Sequence, residues 1–168
     1  HITRGLLWLQ GEVYMGVVTV ELPRAPGGSI SLEYVASRIF RRVRFAEGRL
    51  VIQFLVNSEG TISDEQVNLN LGDPTIIREI ESQMQIEIKR RIDAAIRQMR
   101  TLQVDPAGLG ELVRQHRPAL WKRLVKNWRT EELQRVPILV KVSAKVRRTG
   151  LSGPPRGIRE DELIKGAK

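Results

Sequence analysis

Hydrophobic positions recur along this chain at two periods, and the switches between them mark its elements. Val13 to Leu22 is a β-rich run carrying Val17, Val18 and Val20, closed by Pro23 and the turn cluster Arg24-Ala25-Pro26-Gly27-Gly28. From Ser29 to Phe45 the apolar residues Ile30, Leu32, Tyr34 and Ala36 alternate, followed by Ile39, Val43 and Phe45 among arginines. Alternation of this kind makes a strand with one dry face. Ala46-Glu47-Gly48 has hairpin length, and Leu50 to Val56 returns as a second strand. The pair predicts a long antiparallel hairpin with Arg38, Arg41, Arg42 and Arg44 near its turn. Asn57 to Leu71 is polar, with a short alternating piece at Val67, Leu69 and Leu71. The cleanest alternation comes late: Val136, Ile138, Val140, Val142, Ala144 and Val146 form a dry face, and the other face carries a basic row. Lysines and a proline on such a strand also discourage edge-to-edge pairing.

Between these strands the period lengthens. Gly72-Asp73-Pro74 is a helix start, because Asp73 can cap free N–H groups and Pro74 suits the first helical position. Ile77, Ile80, Met84, Ile88, Ile92, Ala95, Met99 and Leu102 then recur at three- and four-residue steps. This is one apolar stripe about 40 Å long at 1.5 Å per residue. Ile76 and Ile86 interrupt the opposite face, which favours a helix laid across a sheet over a coiled coil. Val104-Asp105-Pro106 repeats the cap chemistry, and Ala107-Gly108-Leu109-Gly110 fits a tight turn where backbones approach closely. Pro118 opens a further short helix, with Leu120, Trp121, Leu124, Val125 and Trp128 on its dry face and Lys122, Arg123, Lys126 and Arg129 outward. The two tryptophans read as core anchors, with a base-stacking platform as the alternative. Leu6, Leu7, Trp8 and Leu9 read either as a joint to an upstream domain or as local core around Trp8.

These elements predict an α+β fold: an antiparallel sheet of about four strands covered by one long helix and two shorter helices. They make a single domain over 1–151, followed by a C-terminal extension over 152–168 in which Ile158 to Lys165 could turn once or twice as helix. At 168 residues the chain can bury roughly 70% of its unfolded surface, so it needs no staple. It has no cysteine, which excludes a disulfide framework, a thiolate metal site and a cysteine nucleophile. No apolar run reaches the roughly 20 residues of a membrane span. A first residue of His1 in place of Met reads as an excised or processed piece.

The net charge is +9, unevenly placed. Positions 1–72 hold seven bases and seven acids, whereas Val104–Arg135 carries seven bases against four acids. Val136–Gly150 has Lys141, Lys145, Arg147 and Arg148 and no acid. The candidate interaction residues are therefore Lys122, Arg123, Lys126 and Arg129 on the helix and Lys141, Lys145, Arg147 and Arg148 on the strand. They would meet an anionic partner, such as an acidic protein, a headgroup layer or nucleic acid. A solvated face that maintains solubility is the plainer alternative.

Catalytic chemistry is not in view. The histidines are His1 and His116, and the latter sits at a helix end, where it suits the last carbonyls better than a base role. No HExxH, GxSxG, Walker A or GxGxxG pattern occurs, and no metal constellation is visible. The acids Glu131-Glu132 and Glu160-Asp161-Glu162 read as solvated runs. No enzyme, cofactor or metal is expected.

From Leu102 onward the motifs Asp105-Pro106-Ala107-Gly108-Leu109-Gly110, Pro118 with Trp121, and Val140-Lys141-Val142-Ser143-Ala144-Lys145-Val146-Arg147-Arg148-Thr149-Gly150 follow in order. In that order and spacing they resemble the C-terminal domain of the spore germination Ger(x)C family, the lipoprotein C subunits of nutrient germinant receptors. Thr3-Arg4-Gly5-Leu6-Leu7-Trp8-Leu9 and the Asp73-Pro74 helix resemble it too, so the likeness covers His1 to Leu151. It implies a non-catalytic subunit domain that works by protein–protein or membrane-surface contact, with A and B subunits as partners. It also implies residence at the spore inner membrane through an N-terminal lipid-modified cysteine that this piece lacks; the piece alone is expected to be soluble. An anionic membrane surface is a further candidate partner, and nucleic acid is not expected. A basic nucleic-acid-binding module and a small-molecule sensor domain are the alternative functions. The tail beyond Leu151 departs from the family pattern.

Overall fold

A computed structural model describes residues 2–11, 16–46, 48–65 and 69–147. The elements are α1 (Ile2–Gln10), β1 (Val17–Glu21), β2 (Ser29–Ala46), β3 (Arg49–Glu65), α2 (Pro74–Leu102), α3 (Leu109–His116), α4 (Pro118–Leu124), α5 (Leu133–Arg135) and β4 (Ile138–Arg147). A 3-10 turn at Val125–Asn127 and a π-helical turn at Trp128–Glu132 link α4 to α5. The fold is α+β, as the alternation of periods predicts. Arg148 and the extension 152–168 lie outside the described residues, as do Val13 and Val67.

The strands form a four-stranded sheet in the order β1-β2-β3-β4. β1 runs antiparallel to β2, with Val17 opposite Glu33 and Glu21 opposite Ser29. The sheet is mixed, where the sequence pattern suggested an antiparallel one. The Ile52 N–H donates to the Pro137 carbonyl at the start of β4 (2.9 Å), and Arg147 at its end pairs with Glu59, so β4 follows the direction of β3. The cause is connectivity: the chain between β3 and β4 includes the whole of α2, a crossover long enough to return it to the same end of the sheet. β3 also extends to Glu65, well past Val56. Its polar second half pairs through side chains as well as backbone, with Ser58 Oγ 3.3 Å from Ser37 Oγ and the Ser63 hydroxyl donating to the Ser31 carbonyl.

Contacts divide the chain into two compact units. One comprises the described parts of Tyr14–Ser37, Asn57–Ile88 and Val142–Lys168. Its core takes Val18, Val20, Ile30 and Leu32 from the sheet and Ile76, Ile80, Met84 and Ile88 from α2, all buried. Asp73 caps α2 as expected, its carboxylate accepting from the Thr75 N–H at 2.7 Å. Ile76, which the stripe assigned to the opposite face, is fully buried because the first turn of α2 is covered on both sides. Arg24 pairs with Glu79 at the margin of this unit.

The other unit comprises the described parts of His1–Val13, Arg38–Val56 and Lys89–Lys141. Ile52, Phe54 and Val56 on β3 and Ile92, Ala95 and Met99 on α2 are buried in it, with Trp8 and Leu9 from α1. The greasy start of the chain is thus a helix with Trp8 in the core. Gly5 is what lets α1 lie against α2: a Cβ there would fall 2.0 Å from the Arg91 carbonyl oxygen. Leu102 ends the apolar stripe in sequence but is 58% exposed, because α2 stops there and the chain turns away at Gln103, whose φ is 52°.

Candidate interaction site around Trp121 and Trp128

The segment Asp105–Gly110 builds a small rigid knot within the second unit. The Asp105 carboxylate accepts from the Leu109 N–H (2.8 Å), the Gly110 N–H (2.7 Å) and the Trp128 indole N–H (2.8 Å). The first two are otherwise unsatisfied donors at the start of α3. Gly108 sits between Asp105 and these two amides at φ 67°, a left-handed conformation that a Cβ disfavours. Gly110 is needed for a different reason. A Cβ on it would lie 2.7 Å from Trp121 Cη2 and 2.7 Å from Trp128 Nε1. Its role is close approach, as expected, though aromatic rings and not a backbone press on it.

The two indoles meet edge to face, with centroids 5.4 Å apart and planes at 66°. Trp128 is buried and hydrogen-bonded, a core anchor as its position on the dry face suggested. Trp121 is only half-buried and α4 has no fully buried residue, and Val125, just beyond it, is exposed. The dry face of the sequence reading is therefore half wet. An open groove of about 520 Å³ runs along it, lined by Asp105, Gly110, Trp121, Lys126, Trp128 and Arg129 among others.

Lys122, Arg123, Lys126 and Arg129 are all exposed, and none forms an ion pair among the described residues. A second hollow, of about 640 Å³, is lined by Phe45, His116, Arg117, Pro118, Leu120 and Arg123. His116 Nδ1 lies 2.9 Å from the Leu112 carbonyl, the helix-end contact its position suggested. Glu111, in the first turn of α3, accepts from Arg114 at 2.6 Å through both oxygens, and these bonds hold its carboxyl below the usual carboxylate range.

On β4 the basic row divides. Lys141 belongs to the same unit as the helix cations and is exposed without an acid partner among the described residues. Lys145 pairs with Glu81 at 3.2 Å, and Arg147 pairs with Glu59, in the other unit. Counting charge along the strand missed both acids because they come from α2 and β3. Arg148 lies outside the described residues. Among those residues no group of three His, Asp or Glu side chains could hold a metal, and no helix is long and apolar enough to cross a membrane.

Known proteins resemble this chain in sequence and in fold. The family model for spore germination B3/GerAC-like proteins, C-terminal, matches residues 1–150. The spore germination protein KC of Bacillus subtilis (strain 168) is 24% identical over 152 residues, covering 90% of this chain and 37% of that protein. The spore germination protein YndF of the same organism is 27% identical over 129 residues, covering 75% of this chain and 31% of that protein. The crystal structure of the GerBC protein superposes with a TM-score of 0.75 at 19% identity, covering 88% of this chain and 45% of that one, and shows the same fold. The chain spans less than half the length of these relatives. It belongs to the spore germination B3/GerAC-like family.

Proposed function

We propose that this family member is a non-catalytic domain of the C subunit of a spore nutrient-germinant receptor and acts by docking. Its contacts are with the A and B subunits, at the spore inner membrane to which a lipid-modified leader would tether the parent protein. The observation that carries the reading is the unpaired cationic face of Lys122, Arg123, Lys126 and Arg129 beside the tryptophan groove. Four exposed cations without partners among the described residues are available to carboxylates on another protein, and Arg123 and Arg129 can bind them in bidentate fashion. Lys141 extends the same set. Lys145 and Arg147 contribute less, because each already neutralises an acid.

The test is assembly. Replacing Lys122, Lys126 and Arg129 together by Glu should leave the fold intact, since all three are exposed, and should weaken recovery of the receptor complex and slow germination. Normal assembly and normal germination with the triple variant would overturn the assignment of this face. A nucleic-acid role predicts binding that falls steeply with salt, so a flat titration of the chain with DNA and RNA at low salt dismisses it.

A further inference from the structure

The outer face of the sheet carries a second cationic surface. Ala46 and Arg49 end the two hairpin strands across a two-residue connection, and the Ser37–Ser58 hydroxyl contact at 3.3 Å lies on the same register. Phe40 then stands opposite Leu55, Arg42 opposite Gln53 and Arg44 opposite Val51, and opposed residues share a face. Ile52, Phe54 and Val56 are buried on the inner face, so these pairs lie on the outer one. The Ile52–Pro137 hydrogen bond sets Ile138 beside Ile52, which puts Leu139 and Lys141 outward on β4.

The result is an apolar strip framed by cations. Phe40 is 47% exposed and Leu139 is 55% exposed, with Leu55 and Val51 half-buried between them. Arg38, Arg42, Arg44 and Lys141 surround the strip, all exposed and unpaired among the described residues. Within the unit that holds the strip, no acid lies on this face among those residues; Glu59, further along β3, is matched by Arg147. Solubility alone would put charge there, but it does not account for a phenylalanine and a leucine held half in water at the centre.

We propose that this face docks flat on an anionic lipid surface, with Phe40 and Leu139 entering the headgroup layer and the surrounding arginines and Lys141 pairing with phosphates. Charge complementarity selects this occupant. A protein rim ordinarily mixes both signs, whereas a uniformly cationic frame matches a uniformly anionic layer. A second copy of the chain would set arginine against arginine. Nucleic acid would find one stacking ring among aliphatic neighbours, a poor platform for successive bases. The proposal rests on the docking role above and gives it a membrane-facing side; apart from Lys141, its residues are distinct from the helix face.

Co-sedimentation of the whole chain with vesicles tests it, comparing pure phosphatidylcholine with phosphatidylcholine containing about a third phosphatidylglycerol. Binding is expected only to the anionic vesicles. Arg42→Gln and Arg44→Gln should each weaken it about fivefold, and Phe40→Ser should remove the part that survives high salt. Phe40→Trp should restore that part and add emission that shifts to the blue on binding. Thermal unfolding confirms that each variant is folded. The proposal is overturned by equal binding to both vesicles, by no binding, or by anionic binding that ignores Phe40 and both arginines. It is also overturned if polyglutamate or RNA competes fully while Phe40→Ser changes nothing, which marks an acidic macromolecule as the ligand. Reversing Lys122, Lys126 and Arg129 should leave vesicle binding largely intact, so failure here and failure of subunit assembly are separable.

Discussion

Replacing Gly110 by Ala puts one methyl group where two indole rings already stand. Alanine is the better helix former, and at an exposed helical position the exchange would stabilise by about 1 kcal/mol. Gly110 is buried in the first turn of α3, and the new Cβ would lie 2.7 Å from both Trp121 Cη2 and Trp128 Nε1. Trp121 is half-buried and can swing outward at small cost. Trp128 cannot, because it is buried and its indole N–H is held by Asp105 at 2.8 Å. Overpacking of this kind costs about 1–3 kcal/mol. If the ring yields, the bond to the charged Asp105 acceptor goes too, at about 1.5–3 kcal/mol. With both terms and after the propensity gain, the net loss is about 1.5–5 kcal/mol.

Urea unfolding followed by far-UV circular dichroism measures it, and the midpoint should fall with little change in slope. Near-UV dichroism should lose the signal of the coupled indoles while helix content stays. A cycle with Trp128→Phe separates packing from general damage, since phenylalanine has no N–H to lose. The two substitutions should be non-additive by about 0.5–3 kcal/mol, because they relieve the same contact. A Gly110→Ala chain at parental stability or above would refute the reasoning, for it would mean that the indoles do not fix the start of α3.

Other substitutions probe separate links. Gly5→Ala sets a Cβ 2.0 Å from the Arg91 carbonyl oxygen, a backbone atom that cannot rotate aside; it should force α1 off α2 and cost more than Gly110→Ala in the same urea titration. Arg100→Met removes donors from the Leu133 carbonyl (3.1 Å) and the Val136 carbonyl (2.7 Å), and should cost about 1.5–3 kcal/mol with the loss centred on the approach to β4, read by amide hydrogen exchange. Glu111 has its folded pKa held below the ordinary value by Arg114, so its contribution is present above the unfolded pKa and is lost as pH falls through the folded one. Glu111→Gln should therefore lower the melting temperature slightly at neutral pH, and the difference should close in acid.

The periodic parts of the chain are legible because burial repeats on a fixed spacing. The stripe from Ile77 to Met99 and the alternation along β4 both mark faces that the structure confirms as the drier ones. Asp73 and Asp105 are legible for a local reason, since each caps amides within five residues of itself. What sequence could not show is set by distant partners. Trp128 hydrogen-bonds an aspartate 23 positions away, and α1 packs on α2 through a glycine that looks unremarkable in its own segment. The second half of β3 reads as polar because its hydroxyls pair across strands, a contact with no local signature. Trp121 and Val125 lie at helical spacing from buried residues, yet the groove leaves them partly wet.

Charge behaves in the same way, and this decides where to look for function. The first 72 residues sum to zero, yet Arg38, Arg41, Arg42, Arg44 and Arg49 crowd the turn half of one hairpin, where Glu47 alone is acidic, while Glu33, Glu59, Asp64 and Glu65 lie toward its other end. The strand that looks most basic loses two of its cations to Glu59 and Glu81. A cation already paired with an acid must give up that partner before it can bind another, which offsets most of any gain from a new ligand. An unpaired one gives up only water. The surfaces we propose for an anionic partner are therefore those whose cations remain unmatched among the described residues: the helix face at Lys122–Arg129 and the outer sheet face around Phe40. The basic row of β4, the most conspicuous feature of the linear sequence, contributes to them through Lys141 and not through its far end, where Lys145 and Arg147 are paired.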